Sequence, residues 1–179
     1  MIELKEREGA EALAPAPELY RRVFARPRLV SFLKIFDRAA VLIVALGYLA
    51  ALVWCAFGHY KELIRLAVST AIPFVAISLF RLAFNAPRPY ELYDLTGLVD
   101  TSGSKRGRSF PSRHVASAFL IGSSLCFINP IAGAIALVLG AGLGACRVLL
   151  AKHFVRDVIT GALLGGILGC LGMLIVNIS

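Results

Sequence analysis

The sequence predicts an all-α protein, a polytopic membrane helix bundle of about five transmembrane helices with an N-terminal interfacial segment. Of its 179 residues, 58% are hydrophobic and 17% are charged, and the mean hydropathy is +0.77. Soluble domains contain about 45–50% apolar and about 25% charged residues, and a chain of this size cannot bury such an excess in one core. The apolar residues also form long uncharged runs, as transmembrane helices require.

The N-terminal residues 1–38 are predicted to form a tail and a basic interfacial segment. Residues 17–36 mix apolar side chains with arginines and a lysine, and Pro27 interrupts them. This pattern is typical of a helix that lies on anionic headgroups, although an irregular basic linker is the alternative. Residues 39–179 are predicted to form the transmembrane domain.

Four runs predict the spans. Residues 39–58 are 20 uncharged residues, and residues 63–84 can cross because arginine stems near helix ends reach the interface. Residues 115–146 are 32 uncharged residues, and the Asn129-Pro130 turn signal predicts a hairpin of two helices. Residues 158–179 form the fifth span.

Glycines in the later spans predict close helix packing. Gly161, Gly165 and Gly169 recur every four residues, and Gly140 and Gly144 repeat that spacing. Such spacing lets a neighbouring helix approach closely, although glycine is also simply common in membrane helices.

The charges predict how the bundle is oriented. With five spans, 17 of the 19 Lys and Arg residues fall on one face, which carries residues 1–38, 81–113 and 147–157. The positive-inside rule makes that face cytoplasmic. The net charge of +8 is thereby explained without a nucleic-acid partner. The four cysteines form no close pair that would suggest a metal site. We expect no cofactor.

The first cluster of chemically informative residues is Arg81, six residues, and Arg88-Pro89. Pro87 and Pro89 bias Arg88 towards an extended backbone just beyond a span. Guanidinium groups suit phosphate oxygens. For Arg81 alone, ordinary interfacial placement at a helix end is the alternative.

The second cluster is the run from Ser109 to His114, directly before an apolar run. Pro111 and Ser112 mark a helix start, whose unpaired N–H groups form an anion site. A lone histidine at a helix end is usually structural, but here a cap, Arg113 and His114 coincide.

The third cluster is Arg147, five residues, then His153 and Asp157. Residues at i and i+4 are neighbours on one helix face, so the carboxylate can accept from one imidazole nitrogen and leave the other free. This is how a nucleophilic histidine is activated. A plain helix-surface contact is the alternative.

Together the three clusters resemble the signature of the type 2 phosphatidic acid phosphatase superfamily, which also contains vanadium haloperoxidases. The family pattern is Lys or Arg, six residues, Arg-Pro; then Pro-Ser-Gly-His; then Ser-Arg, five residues, His, three residues, Asp. The match runs from Arg81 to Asp157, somewhat under half of the chain. Two residues depart from the pattern: Arg113 stands in place of Gly, and Cys146 in place of Ser.

The resemblance implies metal-independent, two-step phosphoryl transfer. His153 would form a phosphohistidine, Asp157 would support its imidazolium, and His114 would protonate the leaving group and then activate water. The implied phosphate-binding residues are Arg81, Arg88, Ser112, Arg113 and Arg147.

A lipid phosphate is the expected substrate, because the clusters lie at the ends of spans. Polyprenyl phosphate or diphosphate, phosphatidate and phosphatidylglycerol phosphate remain open, and membrane lipids are the other expected partners. A lipid phosphotransferase and a non-enzymatic anion-binding membrane subunit are the alternatives, while a haloperoxidase disagrees with the five apolar runs. We expect a multi-pass protein of the cell membrane. Many members of the family have six spans and an active site outside the cytoplasm, contrary to the charge count.

Overall fold

The computed structural model describes residues 13–95, 98 and 106–176, and within them the fold is almost entirely helical. The helices in chain order are α1 (Glu18–Phe24), α2 (Pro27–Ala56), α3 (Tyr60–Phe84), α4 (Pro89–Leu92), α5 (Arg113–Leu125), α6 (Pro130–Leu149) and α7 (Val155–Ile175). Two strands of two residues each, β1 (Ala14–Pro15) and β2 (Tyr93–Asp94), pair in parallel. The predicted all-α fold class is confirmed.

Four helical segments are long and apolar enough to cross a membrane, namely Pro27–Ala56, Tyr60–Leu92, Pro130–Leu149 and Val155–Ile175. Their outward side chains are large and apolar; Ile72, Val138 and Ile175 are 65%, 72% and 74% exposed. A surface of this kind is stable against hydrocarbon rather than water. The chain is therefore a multi-pass membrane protein.

The remaining predicted helix, α5, lies at the centre of the bundle. It has 13 residues and contacts α7 most extensively, then α6, with further contacts to α2 and α3. Its buried residues include Val115, Leu120 and Leu125. The predicted hairpin turn is also present, because the Asn129 side chain caps α6 by accepting from the N–H groups of Ile131 and Ala132.

Glycines allow the close contact between α5 and α7, as their spacing predicts. A Cβ atom at Gly165 would lie 2.2 Å from the carbonyl oxygen of Ala116, and one at Gly161 would lie 2.8 Å from that of Ser112. No side chain fits at these distances, so the two backbones touch only because residues 161 and 165 are glycine.

The N-terminal segment is interrupted just before Pro27, as predicted, but the helix that follows is continuous with the first span. After α1 the chain turns at Arg26, and α2 then continues from Pro27 without a break through Arg38 into the first span. Pro27 starts this helix because its missing N–H is not needed at the first helical position. The division into residues 1–38 and 39–179 stays a prediction, and residues 1–12 of the tail lie outside the described residues.

Candidate active site

A cavity of about 460 Å³ opens at the end of the bundle where α3 ends and α5 and α7 begin. Five guanidinium groups and one ammonium group line it, together with two histidines, and none of the described lining residues is acidic. The full set is Ser78, Arg81, Leu82, Arg88, Tyr90, Arg108, Arg113, His114, Arg147, Lys152 and His153. Such a cavity suits a strongly anionic group.

His153 is held against a buried acid and a buried hydroxyl. The Nδ1 atom of His153 lies 3.7 Å from Oδ2 of Asp157, which is longer than a hydrogen bond. The hydroxyl of Ser109 bridges them, because its Oγ lies 3.3 Å from Nδ1 of His153 and donates to Oδ2 of Asp157. When Nδ1 carries the proton and donates to Ser109, the free lone pair lies on Nε2 of His153.

Burial determines the charge state of the imidazole. The His153 side chain is 1% exposed, and this burial lowers the pKa of His153 below its ordinary value. The nearby Asp157 carboxylate acts in the opposite direction, while the positive charges of Arg88 and Arg147 lower the pKa of His153 further. A lowered pKa keeps the ring neutral at pH 7, which is the form that can act as a nucleophile.

The backbone that presents His153 is not helical, contrary to the prediction that His153 and Asp157 share one helix face. Helix α7 begins at Val155, and the carboxylate of Asp157 accepts from the N–H of Phe154 at 3.0 Å. An acid at this position stabilises the helix start, and it places His153 outside the helix. The two side chains meet across the end of α7.

His114 lies at the other histidine position of the cavity, in the first turn of α5. The start of α5 is fixed to the start of α7, because the N–H of Ser112 donates to the carbonyl of Asp157 at 2.9 Å. This link joins the second and third sequence clusters. Both histidines therefore open onto one cavity, as the sequence predicts.

Arg81 is buried rather than spread along the membrane interface. Its side chain crosses from the end of α3 and donates to the carbonyl oxygens of Arg108 and Pro111. Arg81 is only 8% exposed, which excludes the interfacial alternative. The guanidinium therefore both lines the cavity and holds the loop before α5.

Arg88 holds the same loop from its other side. Its Nε donates to the carbonyl of Gly107 at 2.9 Å, and the N–H of Gly107 donates to Oε1 of Glu91 at 2.7 Å. Gly107 has φ +66°, and a Cβ there would lie 2.4 Å from Oδ1 of Asn85. The Asn85 side chain could move aside, but the left-handed backbone conformation itself favours glycine at residue 107.

The third arginine, Arg147, meets an acid, Asp37, that is not among the predicted site residues. Its Nε lies 3.0 Å from Oδ1 of Asp37, and Nζ of Lys152 lies 2.8 Å from Oδ2 of the same carboxylate. Asp37 is 4% exposed and comes from α2, far from Arg147 in the sequence. The carboxylate therefore orients two of the cations that line the cavity.

The structure also locates the residues that depart from the family pattern. Cys146 is a buried free thiol that packs against Val23, Leu33 and Leu150, away from the cavity. Arg113 lines the cavity, and its Cζ lies 6.0 Å from the centre of the Phe74 ring.

Two predicted site residues are not among the cavity-lining side chains. Asp157 lies behind His153 and is 0% exposed. Ser112 is also fully buried, and its Oγ has no hydrogen-bond partner within the described part of the chain. Among the described residues, Ser112 is thus the only predicted phosphate-binding residue that does not line the cavity.

Comparisons with known proteins identify a family and two solved structures that the chain resembles. The family model of the PAP2 superfamily matches residues 62–179. The chain is similar to the crystal structure of LpxE from Aquifex aeolicus, with a TM-score of 0.64, 26% identity, and coverage of 87% of this chain and 92% of that chain. No curated protein sequence matches the chain.

A second solved structure shares the fold. It is the first transmembrane PAP2 type phosphatidylglycerolphosphate phosphatase from Bacillus subtilis, with a TM-score of 0.61, 22% identity, and coverage of 86% of this chain and 80% of that chain. The fold and these likenesses define the class as a multi-pass membrane protein with a PAP2 type fold. Since the family model matches more than half of its residues, the chain belongs to the PAP2 superfamily.

Proposed function

We propose that the protein hydrolyses a phosphomonoester or diphosphate of a membrane lipid through a phosphohistidine on His153. The observation that carries the proposal is the cavity itself, where two histidines open among six cationic side chains. Phosphoryl transfer depends chiefly on positioning and on spreading negative charge over cationic donors. The cavity offers both.

In the first step, Nε2 of His153 forms a bond to phosphorus as the bond from phosphorus to the leaving oxygen breaks. His114 donates a proton to that oxygen. Burial, together with the positive charges of Arg147 and Arg113, lowers the pKa of His114 to about 3 when the cavity is empty, and the negative charge of a bound phosphate acts in the opposite direction. The ring is then protonated where the leaving group needs it.

In the second step, water attacks the phosphohistidine and His114 accepts a proton from that water. The bond from phosphorus to nitrogen breaks, inorganic phosphate forms, and His153 returns to its neutral state. Asp157 stabilises the positive charge that the ring carries while phosphorylated, through its own charge and through Ser109.

Three arginines, Arg81, Arg88 and Arg147, bind the phosphoryl oxygens in this proposal. Each guanidinium already has a fixed partner in the protein, so little side-chain freedom is lost when phosphate binds. Arg113 and the first N–H groups of α5 add positive charge at the same place. Ser112 would need to turn its hydroxyl towards the cavity to join them.

A lipid substrate follows from where the cavity lies. The side chains that surround the bundle below it are apolar and exposed, so acyl or prenyl chains can lie beside them while the headgroup enters the cavity. The proposed substrates are a polyprenyl phosphate or diphosphate, phosphatidate, or phosphatidylglycerol phosphate.

The test is release of inorganic phosphate from a panel of these lipids by purified protein in EDTA, with orthovanadate as inhibitor. We expect the wild-type protein to turn over at least one lipid. We expect His153→Gln to lose that turnover and His59→Gln to keep it. His59 stacks on Trp54 between α2 and α3 and serves as the matched control. A metal requirement, or no turnover of any lipid, would contradict the proposal. Transfer of phosphate to a second lipid would instead identify a phosphotransferase.

A separate measurement addresses sidedness. The cavity lies on the face that the charge count makes cytoplasmic, whereas the family resemblance implies the outer face. A single cysteine introduced at Arg106 in a variant without the native cysteines, labelled from either side of sealed vesicles, decides between them.

A further inference from the structure

Asp37 is a buried acid that belongs to no part of the proposed chemistry. It lies on α2, outside residues 62–179 that the family model matches, and it is 4% exposed. A carboxylate so buried is costly unless cations accompany it. The structure provides two, Arg147 and Lys152, and both also line the cavity.

The contacts favour Arg147 as the residue on which Asp37 acts. Arg147 is 9% exposed at its side chain, whereas Lys152 is 36% exposed and can exchange Asp37 for water. Asp37 lies along one edge of the guanidinium, with Nε at 3.0 Å and Nη2 at 3.5 Å from its two oxygens. The same guanidinium lines the cavity, where its remaining N–H groups can meet an anion.

We propose that Asp37 is a positioning residue of the active site, which holds the guanidinium of Arg147 in the orientation that binds the phosphoryl group. The inference rests on the proposed function, because it assigns Arg147 to phosphate binding. It adds a residue from α2 to a site whose predicted members all come from Arg81 onward. Asp37 touches no substrate and acts through Arg147.

The first experiment measures orthovanadate binding by thermal-shift titration of the purified protein, which needs no turnover. We expect Asp37→Asn to raise the dissociation constant about tenfold, since a guanidinium loses its charged partner. Asp37→Glu keeps the charge and restores part of the affinity. The matched control is Glu62→Gln, which also removes a carboxylate next to an arginine, Arg65, away from the cavity.

Two further variants identify the partner. In an Arg147→Met background, Asp37→Asn changes vanadate binding less than twofold, because the residue through which it acts is gone. Lys152→Met alone reproduces only a small part of the tenfold loss. A full tenfold loss from Lys152→Met, or an undiminished effect of Asp37→Asn without Arg147, would overturn the inference.

Lipid phosphate turnover separates this inference from the proposed function. We expect Asp37→Asn to lower kcat/KM about tenfold, while thermal unfolding without vanadate shows that the variant is folded. Wild-type vanadate affinity in Asp37→Asn, or in Asp37→Ser if the amide variant does not fold, overturns the positioning role. If the wild-type protein hydrolyses no lipid but Asp37→Asn still weakens vanadate binding, the proposed function is wrong and the positioning role of Asp37 holds.

Discussion

Ser109 donates a hydrogen bond to the carboxylate of Asp157, and through this bond the acid reaches the imidazole of His153. The direct distance from Oδ2 of Asp157 to Nδ1 of His153 is 3.7 Å, whereas the Ser109 hydroxyl lies 3.3 Å from that nitrogen. All three side chains are buried. The acid therefore orients the ring through a hydroxyl rather than by a direct hydrogen bond.

Replacing Ser109 by alanine should break this relay. Loss of a buried hydrogen bond to a charged group costs about 1.5–3 kcal/mol, so we expect Ser109→Ala to lower kcat about 10- to 100-fold with a smaller change in KM. Steady-state kinetics on a short-chain lipid phosphate measures this. Ser78→Ala is the control, because Ser78 lines the cavity but donates only to its own helix, at Phe74. Equal kinetics in the two variants would show that the relay has no catalytic role.

The contribution of His114 to the rate should depend on how readily the leaving group departs. General acid catalysis contributes about 10²- to 10⁴-fold, and an activated aryl oxygen leaves without a proton. We therefore expect His114→Ala to slow alkyl phosphates far more than nitrophenyl phosphates. The measurement is kcat/KM across substrates of graded leaving-group acidity. Equal losses on both substrate types would remove His114 from the acid role.

The activity should persist to a lower pH than an ordinary histidine nucleophile would allow. Burial lowers the pKa of His153, so the neutral, nucleophilic ring persists below the ordinary imidazole value of about 6.5. As pH falls through the lowered pKa the ring gains a proton and activity is lost. We expect kcat/KM to fall only below pH about 6.5. The profile is measured with two aryl phosphates that differ in their second pKa. A limb caused by ionisation of the substrate shifts between the two profiles, whereas a limb caused by the enzyme stays at the same pH. An acidic limb that belongs to the enzyme and has its midpoint above pH about 6.5 would contradict the expectation.

The sequence predicts the members of this site well and their contacts poorly. Spacing alone placed Arg81, His114 and His153 at one end of the bundle, because short motifs flank the ends of apolar runs. It did not reveal that Asp157 starts α7 as a capping acid and leaves His153 outside the helix. Capping and nucleophile support are both consistent with the same His-Asp spacing.

Ser109 and Asp37 show two reasons why the rest escaped prediction. Ser109 stands inside a recognised cluster, but a serine before a helix start has many roles, and only the fold turns its hydroxyl to Asp157. Asp37 gives no local signal, because it lies among basic residues at the start of an apolar run. Its importance depends on how α2 packs against α6, which residue spacing does not encode.

Helix packing offers a test that is independent of the chemistry. A Cβ atom at Gly165 would lie 2.2 Å from the carbonyl oxygen of Ala116, a backbone atom that cannot move aside, whereas one at Gly166 would meet nothing within 4 Å. Overpacking costs about 1–3 kcal/mol, so Gly165→Ala should lower the thermal midpoint in detergent. Gly166→Ala should change the free energy of unfolding by no more than about 0.5 kcal/mol.

The Gly165→Ala substitution should also lower the activity. Gly165 packs against α5 at Ala116, which lies two residues beyond His114, so separating α5 from α7 moves His114 away from His153. We expect Gly165→Ala to lower kcat at temperatures where the protein remains folded, and Gly166→Ala to leave kcat unchanged. Near-equal midpoints and rates in the two variants would mean that the close contact of α5 and α7 is not what holds the two histidines together.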